Sequence, residues 1–249
     1  MILCALMTNT GGIADVGAIQ GKPLSIILRT TPGNTVIFDF DGTIVDSAPA
    51  ILATLEQVLT AHDIKPRRAV SHDLIGPPLA ATLTTLTGIT EGGRLGRLMA
   101  DFKQIYDSTG LESTVLYAGM DGLLHALVAS GYRLLLATNK RLFPTRRLLD
   151  MFKLAGCFSG VHCSDTRSPP YPDKAAMLTA LLQIESLTAQ QSLYIGDTCH
   201  DEIAAARAGM PFMAVAWGYG VGVQMVSTKA PIAPTVSALH TAITGHFGK

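Results

Sequence analysis

Short apolar runs, each ending in polar residues, constrain the fold of this chain more than any other feature. They are rich in leucine, β-branched and aromatic residues, which is typical of strands buried in a parallel sheet. The runs span residues 35–39, 133–138, 192–197 and 211–216. Because each run is only four to eight residues long and is bounded by polar residues or glycine, it predicts a strand and not a buried helix.

Amphipathic segments follow or separate these runs. Apolar side chains recur on one face, with Leu123, Leu124 and Leu127 in the clearest case. The predicted helices cover residues 120–130, 173–184 and 201–208. Strands that alternate with helices of this length predict βαβ units, and therefore an α/β fold with a Rossmann-like, doubly wound parallel sheet.

One stretch, residues 47–117, interrupts the alternation. It has helical periodicity, clearest at residues 48–62 and 94–108, but no convincing buried strand. A helical insertion after the first core strand predicts a separate cap domain. We therefore expect a core at residues 34–48 and 118–249 and a helical cap domain at residues 49–117.

Residues 1–33 differ from the rest of the chain. They are rich in glycine and contain one short β-like run at residues 25–28, without paired start and stop signals for any element. We expect an N-terminal extension that takes no part in the chemistry. The alternative is an added strand or arm that packs on the body or on a second subunit.

Composition restricts the class of partner and the compartment. Nineteen basic residues balance nineteen acidic ones, which argues against nucleic acid or an anionic membrane surface as the main partner. No apolar run approaches the roughly 18 residues that span a bilayer. Four scattered cysteines without a CxxC pair favour reduced thiols, so we expect a cytoplasmic protein. Nothing in the sequence favours a monomer over a homodimer.

Polar side chains follow three of the predicted strands. In an open α/β sheet, ligands bind beyond the carboxyl ends of the strands, so these side chains are expected to lie together. They are Asp39 and Asp41 after the first strand, Thr138 and Asn139 at the end of the second, and Asp197 with Asp201 after the third. Lys174, at the start of the preceding helix, is placed to join them.

Several carboxylates in one crevice repel one another unless a cation or protons neutralise them. Oxygen ligands of this kind suit Mg²⁺, which also engages phosphate groups. A carboxylate held against Mg²⁺ and a lysine can attack phosphorus, and a second carboxylic acid can protonate the leaving oxygen. The sequence therefore predicts phosphoryl-transfer chemistry, with Thr138, the amides after it and Lys174 binding the phosphoryl oxygens.

From Thr35 to Trp217 the chain resembles the haloacid dehalogenase superfamily, in the phosphoglycolate-phosphatase-like branch with a helical cap. Residues 36–47, VIFDFDGTIVDS, match its first motif nearly residue for residue. Residues 138–140, TNK, match the second motif, and residues 195–210 match the fourth.

The resemblance implies a role for each residue that matches a motif. Asp39 would be the nucleophile and a Mg²⁺ ligand, and Asp41 the general acid and base that also gives its backbone carbonyl to the metal. Asp197 would be the second carboxylate ligand, and Asp201 would support Lys174 or a metal-bound water. The implied phosphate-binding residues are Gly42, Thr138, Asn139 and Lys174.

The third motif departs from the common pattern. Many relatives carry Lys-Pro-x-Pro, whereas this chain has Pro169-Pro170-Tyr171-Pro172 in that register. We expect Lys174 to take the role of the lysine. The alternative is a solvated Lys174, with Arg167 or Lys140 supplying the positive charge.

The residues favour a Mg²⁺-dependent phosphatase acting on a small phosphorylated metabolite. A phosphotransferase such as a sugar-phosphate mutase, or a pyrophosphatase, is the alternative within the superfamily. A 2-haloacid dehalogenase is disfavoured because Asp41 is present, and a phosphonate hydrolase because neither Lys65 nor Lys103 has a persuasive setting. A non-catalytic binding protein is disfavoured because it would not need mutually repelling carboxylates.

The insertion is expected to determine the substrate. The Gly76-Pro77-Pro78 turn is predicted to face the site when hinges near residues 47–49 and 117–119 close the cap. Arg94, Arg97 and Lys103 are candidates for binding an anionic tail, although charged residues on such helices are usually solvated. Asp46 and Ser47 are expected to cap the helix that begins near Ala48.

Overall fold

A six-stranded parallel sheet forms the centre of the computed structural model, which describes residues 34–220 and 230–248. The spatial order of the strands is β5-β4-β1-β6-β7-β8. The strands are β1 (Thr35–Phe38), β4 (Arg133–Thr138), β5 (Gly160–Cys163), β6 (Ser192–Gly196), β7 (Phe212–Val215) and β8 (Ile232–Ala233), and a separate pair comprises β2 (Val45–Asp46) and β3 (Val115–Leu116). The α/β fold with a parallel sheet is thus confirmed. The expected extension at residues 1–33 lies outside the described residues.

Alternating side chains of the central strands pack on opposite faces of the sheet. Val36 and Phe38 belong to one apolar cluster, and Ile37 between them belongs to another. The helices that cover the first face contribute Leu124 of α4 (Met120–Ala129) and Leu239 of α8 (Val236–His246). Because both faces are covered by helices, these strands are apolar at consecutive positions, which is why the sequence shows runs and not alternation.

The second face is covered by two helices that the periodicity predicted. They are α6 (Lys174–Ile184) and α7 (Cys199–Arg207), which place Leu178 and Ala205 in the cluster around Ile37. Helix α7 begins two residues earlier than predicted because Thr198 and Asp201 form a capping box at its N-terminus. Helices on both faces make the sheet doubly wound.

The insertion after β1 is helical. It contains α1 (Ala48–Ala61), α2 (Leu79–Thr87) and α3 (Gly92–Ser108), and α1 packs against α3. Strands β2 and β3 pair antiparallel, Val45 with Leu116 and Asp46 with Val115, so the chain leaves and re-enters the core through neighbouring segments. The division into a core and a cap domain at residues 49–117 stays a prediction.

Among the described helices, none is both long enough and apolar enough to span a membrane. Cys157, Cys163 and Cys199 are all free thiols.

Candidate active site

The carboxyl ends of three adjacent strands bring the predicted site residues together. Strand β1 lies between β4 and β6, with Phe38 in register with Leu136 on one side and Ile195 on the other. Asp39 follows Phe38 directly, whereas Thr138 and Asp197 lie two residues after Leu136 and Ile195. All three are buried, at 4%, 2% and 1% exposure, so their polar groups face one another and not bulk water.

Three carboxylates form the acidic centre of this site. One oxygen atom from each of Asp39, Asp197 and Asp201 lies within 4.8 Å of the other two. Burial raises the pKa of Asp39 to about 7, against the opposing effect of Lys174. Burial, together with the charges of Asp201 and Asp39, also raises the pKa of Asp197 well above its ordinary value. The centre therefore favours either protons or a cation.

Lys174 provides one positive charge at this centre. Its Nζ atom lies 2.5 Å from Oδ1 of Asp201 and 3.1 Å from Oδ1 of Asp39. Burial opposes the charged form of Lys174, but the two carboxylates raise its pKa above the ordinary value. Asp173 caps α6 by accepting a hydrogen bond from the Ala176 amide, which fixes Lys174 as the first helical residue. Lys174 is thus located at the acidic centre despite the altered motif, whereas Arg167 is exposed and lies over the Tyr171 ring.

The oxygens of Asp201 are fully engaged by protein donors. Oδ2 accepts hydrogen bonds from the backbone amide and hydroxyl of Thr198, and Oδ1 accepts from Lys174 and the Tyr194 hydroxyl. Burial would raise the pKa of Asp201, but Lys174 and these hydrogen bonds lower it instead. Asp201 is therefore suited to orient Lys174, as expected for a residue that does not bind metal directly.

Asp39 and Asp197 are the carboxylates that fit a divalent cation. Oδ1 of Asp39 is buried, and its one partner among the described residues is the Lys174 ammonium at 3.1 Å. Asp197 accepts a hydrogen bond of 2.7 Å from the Tyr219 amide and a longer one of 3.4 Å from the Thr43 hydroxyl. A buried carboxylate oxygen with a single lysine partner, beside a second carboxylate whose pKa is raised, is an oxygen environment that suits Mg²⁺.

Glycines form a tight cradle around Asp197. A Cβ atom at Gly42 would lie 2.2 Å from Oδ2 of Asp197, and one at Gly218 would lie 2.3 Å from Cβ of Asp197. Gly42 also has a φ of +83°, which side chains other than glycine rarely adopt. Gly42 is therefore required at this position for conformation and for space.

Asp41 is held apart from the other carboxylates by its own partners. Its Oδ1 accepts a 2.6 Å hydrogen bond from the Ser47 hydroxyl, and Lys140 Nζ lies 3.0 Å from Oδ1 and 3.3 Å from Oδ2. The expectation that the Ser47 side chain caps α1 was wrong, because its hydroxyl is used by Asp41. Asp46 is the acceptor at this helix start, bonding the Ala48 amide at 3.1 Å.

The loop after β4 has both predicted and unpredicted contacts. The Thr138 hydroxyl accepts a hydrogen bond from the Lys140 amide, which bends the chain at the site. The Asn139 side chain donates to the Gly76 carbonyl at 2.8 Å, so this side chain binds the insertion.

The sequence analysis did not assign the site roles of three residues, which are Lys140, Tyr106 and Tyr219. Lys140 was considered only as a substitute for Lys174, yet it pairs with Asp41 and with the Tyr106 hydroxyl. Tyr219 donates its amide to Asp197, and its hydroxyl accepts from the amides of Ser47 and Ala48. Tyr106 and Tyr219 carried no local signal, because each reaches the site from a distant part of the chain.

A cavity of about 310 Å³ connects this site to the insertion. Core residues Asp39, Asp41 and Lys174 line one part of it, and Gly76, Pro77 and Pro78 line another. The predicted proximity of this loop to the acidic crevice is therefore observed. Of the three cations proposed for an anionic tail, Lys103 lines the cavity, whereas Arg94 and Arg97 are exposed and lie outside its lining.

Comparisons with known proteins agree with this geometry. The profile of the family described as haloacid dehalogenase-like hydrolase matches residues 36–215. The phosphoglycolate phosphatase of Rhodospirillum rubrum is 34% identical over 196 residues, covering 74% of this chain and 80% of that protein. A 5'-nucleotidase of Pseudomonas aeruginosa is 30% identical over 189 residues, covering 74% of this chain and 83% of that protein.

A solved structure shares the architecture. The crystal structure of a predicted phosphatase from Clostridium acetobutylicum superposes with a TM-score of 0.78 at 25% identity, over 86% of this chain and all of the other. The family match covers strands β2 to β7, all but the first residue of β1, the acidic centre and the whole insertion. The chain therefore belongs to the haloacid dehalogenase-like hydrolase family, in its phosphoglycolate-phosphatase-like branch, and is a hydrolase of the phosphatase type.

Proposed function

We propose that the protein is a Mg²⁺-dependent phosphatase that hydrolyses a small phosphorylated metabolite through an aspartyl-phosphate intermediate. One observation carries the proposal: the buried Asp39 carboxylate has an oxygen that pairs with the Lys174 ammonium at 3.1 Å and has no other partner among the described residues. A buried carboxylate beside a fixed positive charge is suited to attack a phosphorus atom whose oxygens that charge binds.

In the first step, Asp39 attacks phosphorus and the bond between phosphorus and the leaving oxygen breaks. Asp41 donates a proton to that oxygen, so the alcohol departs neutral. Thr138 and the amide of Asn139 bind the phosphoryl oxygens, and Lys174 stabilises their charge. The Gly42 amide donates to the Val45 carbonyl at 2.8 Å, so Gly42 shapes the loop and is not assigned to phosphate. In the second step, Asp41 accepts a proton from water, which attacks phosphorus and releases phosphate and free Asp39.

Asp39, Asp197 and the backbone carbonyl of Asp41 would hold the Mg²⁺ ion. The cation, when bound, would neutralise the carboxylates and the phosphoryl charge. Asp201 would act outside the metal shell by holding Lys174, since its two oxygens already accept hydrogen bonds from Lys174, Thr198 and Tyr194.

The substrate class follows from the relatives and from the cavity. The relatives named above are a phosphoglycolate phosphatase and a 5'-nucleotidase, both of which point to phosphomonoesters. The cavity is shaped by the insertion and the core together, which supports a small metabolite and not a macromolecular substrate. We also propose that residues 49–117 act as a cap domain and that the protein works in the cytoplasm.

A phosphotransferase, a sugar-phosphate mutase or a pyrophosphatase would use the same Asp39. These activities differ from a phosphatase in the leaving group of the first step or in the acceptor of the second, and not in the attack by Asp39. A phosphatase releases inorganic phosphate from an ester in water alone, whereas a mutase or transferase needs a second alcohol to turn over. Product analysis therefore distinguishes them.

The test is a panel of phosphate esters and pyrophosphate, assayed with Mg²⁺ and with a chelator in its place. We expect Mg²⁺-dependent release of phosphate from esters, and loss of that release in Asp39→Asn with an unchanged circular dichroism spectrum. Asp150→Asn, on an exposed position of α5 (Leu142–Met151), is the matched control and should keep wild-type activity. Activity of Asp39→Asn within tenfold of wild type would exclude the mechanism.

A further inference from the structure

The cavity wall that the insertion contributes is mostly apolar. Leu55 of α1, Ile75, Leu79 of α2, and Met99 and Phe102 of α3 line it. The volume of about 310 Å³ falls within the range of small-molecule sites, about 300–1,000 Å³. A phosphate group bound at Asp39 would leave this apolar part for an organic group larger than two carbons.

Within the part of the chain that the structure describes, one cation that lines this cavity forms no ion pair. Lys140, Arg141 and Lys174 line the cavity, and each is paired with a carboxylate at 2.5–3.0 Å. Lys103 of α3 also lines it, is partly buried, and has no ion pair or hydrogen bond within residues 34–220 and 230–248.

The carboxylates that line the cavity have partners other than Lys103. Asp39 and Asp41 lie beside Lys174 and Lys140, and Asp165 accepts a hydrogen bond from the Leu142 amide at 2.8 Å. An unpaired lysine at a largely apolar cavity wall is suited to bind an anion, since a partly desolvated charge gains more from a charged hydrogen-bond partner than a solvated one does.

Resting on the proposed phosphatase function, we propose that the substrate is a phosphomonoester whose organic group is apolar and ends in a carboxylate, and that Lys103 binds this carboxylate. The apolar wall contacts the part of the organic group that lies between the phosphate and the carboxylate. Lys103 is then a specificity-determining residue, and the phosphate itself is bound at the opposite end by Lys174 and the loops after β1 and β4.

The test compares two esters with similar leaving groups, 4-(carboxymethyl)phenyl phosphate and 4-methylphenyl phosphate. We expect wild-type enzyme to favour the first by about tenfold in kcat/KM, the size of one charged hydrogen bond. Lys103→Met should reduce this preference to about one, and Lys103→Arg should keep most of it. Lys65→Met, at an exposed position of the same insertion, is the control and should leave the preference unchanged.

The outcomes distinguish failure of the Lys103 proposal from failure of the proposed phosphatase function. A wild-type enzyme that hydrolyses both esters equally well contradicts the proposal, whether or not the Lys103 variants fold. A preference that survives Lys103→Met in a folded protein also contradicts it. Failure of every ester, including 4-nitrophenyl phosphate, would instead contradict the proposed phosphatase function on which it rests.

Contacts between the loop after β4 and the insertion support a second inference. The three consecutive residues after β4 each contact the insertion. Asn139 donates to the Gly76 carbonyl, Lys140 donates to the Tyr106 hydroxyl at 2.7 Å, and Arg141 makes two hydrogen bonds to Asp107 at 2.6 and 2.9 Å. Tyr106 and Asp107 are both in α3.

Among these contacts, the one through Lys140 reaches the reacting groups. Its side chain is 5% exposed, and its Nζ atom lies between the Asp41 carboxylate and Tyr106, 4.7 Å from the centre of the Tyr106 ring. A buried ammonium has few alternative partners, so its position depends on both groups. Movement of α3 away from the core would remove the phenol from Lys140 and so loosen one of the two groups that hold Asp41, the other being the Ser47 hydroxyl.

Resting on the same proposed function, we infer that Lys140 is a positioning residue for Asp41 and that Tyr106 makes this positioning depend on a closed insertion. The correct orientation of Asp41 toward the leaving oxygen would then be available only when α3 covers the substrate. Such an arrangement restricts proton donation to the closed form, in which water is excluded.

The test uses leaving-group dependence as its readout. Lys140→Met and Tyr106→Phe should lower kcat for alkyl phosphates by about tenfold or more while KM changes less, and should affect 4-nitrophenyl phosphate much less. In an Asp41→Asn background, Lys140→Met should cause little further loss. Asp107→Asn, which weakens the neighbouring contact of Arg141 but does not touch Asp41, is the matched control.

Equal losses for alkyl and aryl esters in Lys140→Met, or full additivity with Asp41→Asn, would overturn the positioning role. An Asp107→Asn variant with the same leaving-group dependence as Lys140→Met would show that loss of cap contacts alone is responsible, and would also overturn it. If Asp41→Asn itself shows no dependence on the leaving group, the proposed role of Asp41 fails first.

Discussion

Lys174 and Asp201 form a buried ion pair of 2.5 Å between the first turns of α6 and α7. Asp201 is completely buried, and the Thr198 and Tyr194 hydrogen bonds hold its carboxylate toward Lys174. The lysine therefore reaches Asp39 from the helix start itself, without the Lys-Pro-x-Pro segment that many relatives carry.

The Lys174→Met substitution tests this arrangement through stability. It leaves the Asp201 carboxylate buried without its cation, so we expect the free energy of unfolding to fall by about 3–5 kcal/mol when measured in a chelator. Phosphatase activity should be lost as well. Chemical denaturation of Lys174→Met beside the exposed-site variant Lys65→Met provides the measurement, and a loss below about 1 kcal/mol would contradict a structural ion pair.

The Asp41→Asn substitution tests the general acid. Without a proton donor, alkyl phosphates should lose about 10²–10⁴-fold in kcat, whereas aryl phosphates with good leaving groups should lose much less. The measurement is kcat across a series of esters of graded leaving-group acidity. A uniform loss across the series would argue against proton donation by Asp41.

The Gly42→Ala substitution tests the cradle around Asp197. The new Cβ atom would lie 2.2 Å from Oδ2 of Asp197 and 2.8 Å from the Tyr219 ring, at a φ of +83°. We expect displacement of Asp197, a fall of about 10²-fold in kcat/KM, and a stability loss of about 1–3 kcal/mol.

Gly93→Ala is the matched control for this change. Position 93 lies in the first turn of α3, and a Cβ atom there meets nothing within 4 Å. Its stability should stay within about 1 kcal/mol of wild type, and its activity should not change. Unchanged kcat/KM in Gly42→Ala would show that Asp197 does not need this close packing.

The Pro77→Ala substitution tests the role of the cavity loop. Pro77 lines the cavity between the insertion and the acidic centre, and the neighbouring Gly76 carbonyl is held by Asn139. We expect the substitution to change relative kcat/KM among phosphate esters more than the Mg²⁺ concentration for half-maximal activity. Pro66→Ala, elsewhere in the insertion, is the control. If Pro77→Ala changed the Mg²⁺ dependence as much as it changed the relative kcat/KM values, the separation of roles would be contradicted.

The core of the site was predictable because it depends on local order along the chain. Asp39, Thr138 and Asp197 each follow an apolar run, and the carboxyl ends of neighbouring parallel strands meet at one edge of the sheet. The capping signals around Asp173 and Thr198 are local as well. Such features need no knowledge of how distant segments pack.

The contacts of Asp41 could not be predicted, because they join segments that are far apart along the chain. Lys140 is 99 residues from Asp41 and 34 from Tyr106, so their meeting depends on how the insertion packs against the core.

Helix α5 was also missed, since Phe143 and Pro144 and the paired arginines that follow obscure its periodicity. Strand β5 is a four-residue edge strand whose first two residues are only half-buried, which leaves a weak apolar signal.

The central claim is that Asp39 becomes phosphorylated during turnover. Borohydride reduces an acyl phosphate to an alcohol, which would convert Asp39 to homoserine, and peptide mass spectrometry then locates the change. The account predicts homoserine at position 39 when enzyme, Mg²⁺ and a hydrolysed ester are quenched together, and none without the ester. Unmodified Asp39 in an actively turning-over enzyme, or homoserine at Asp41 or Asp197 instead, would contradict it.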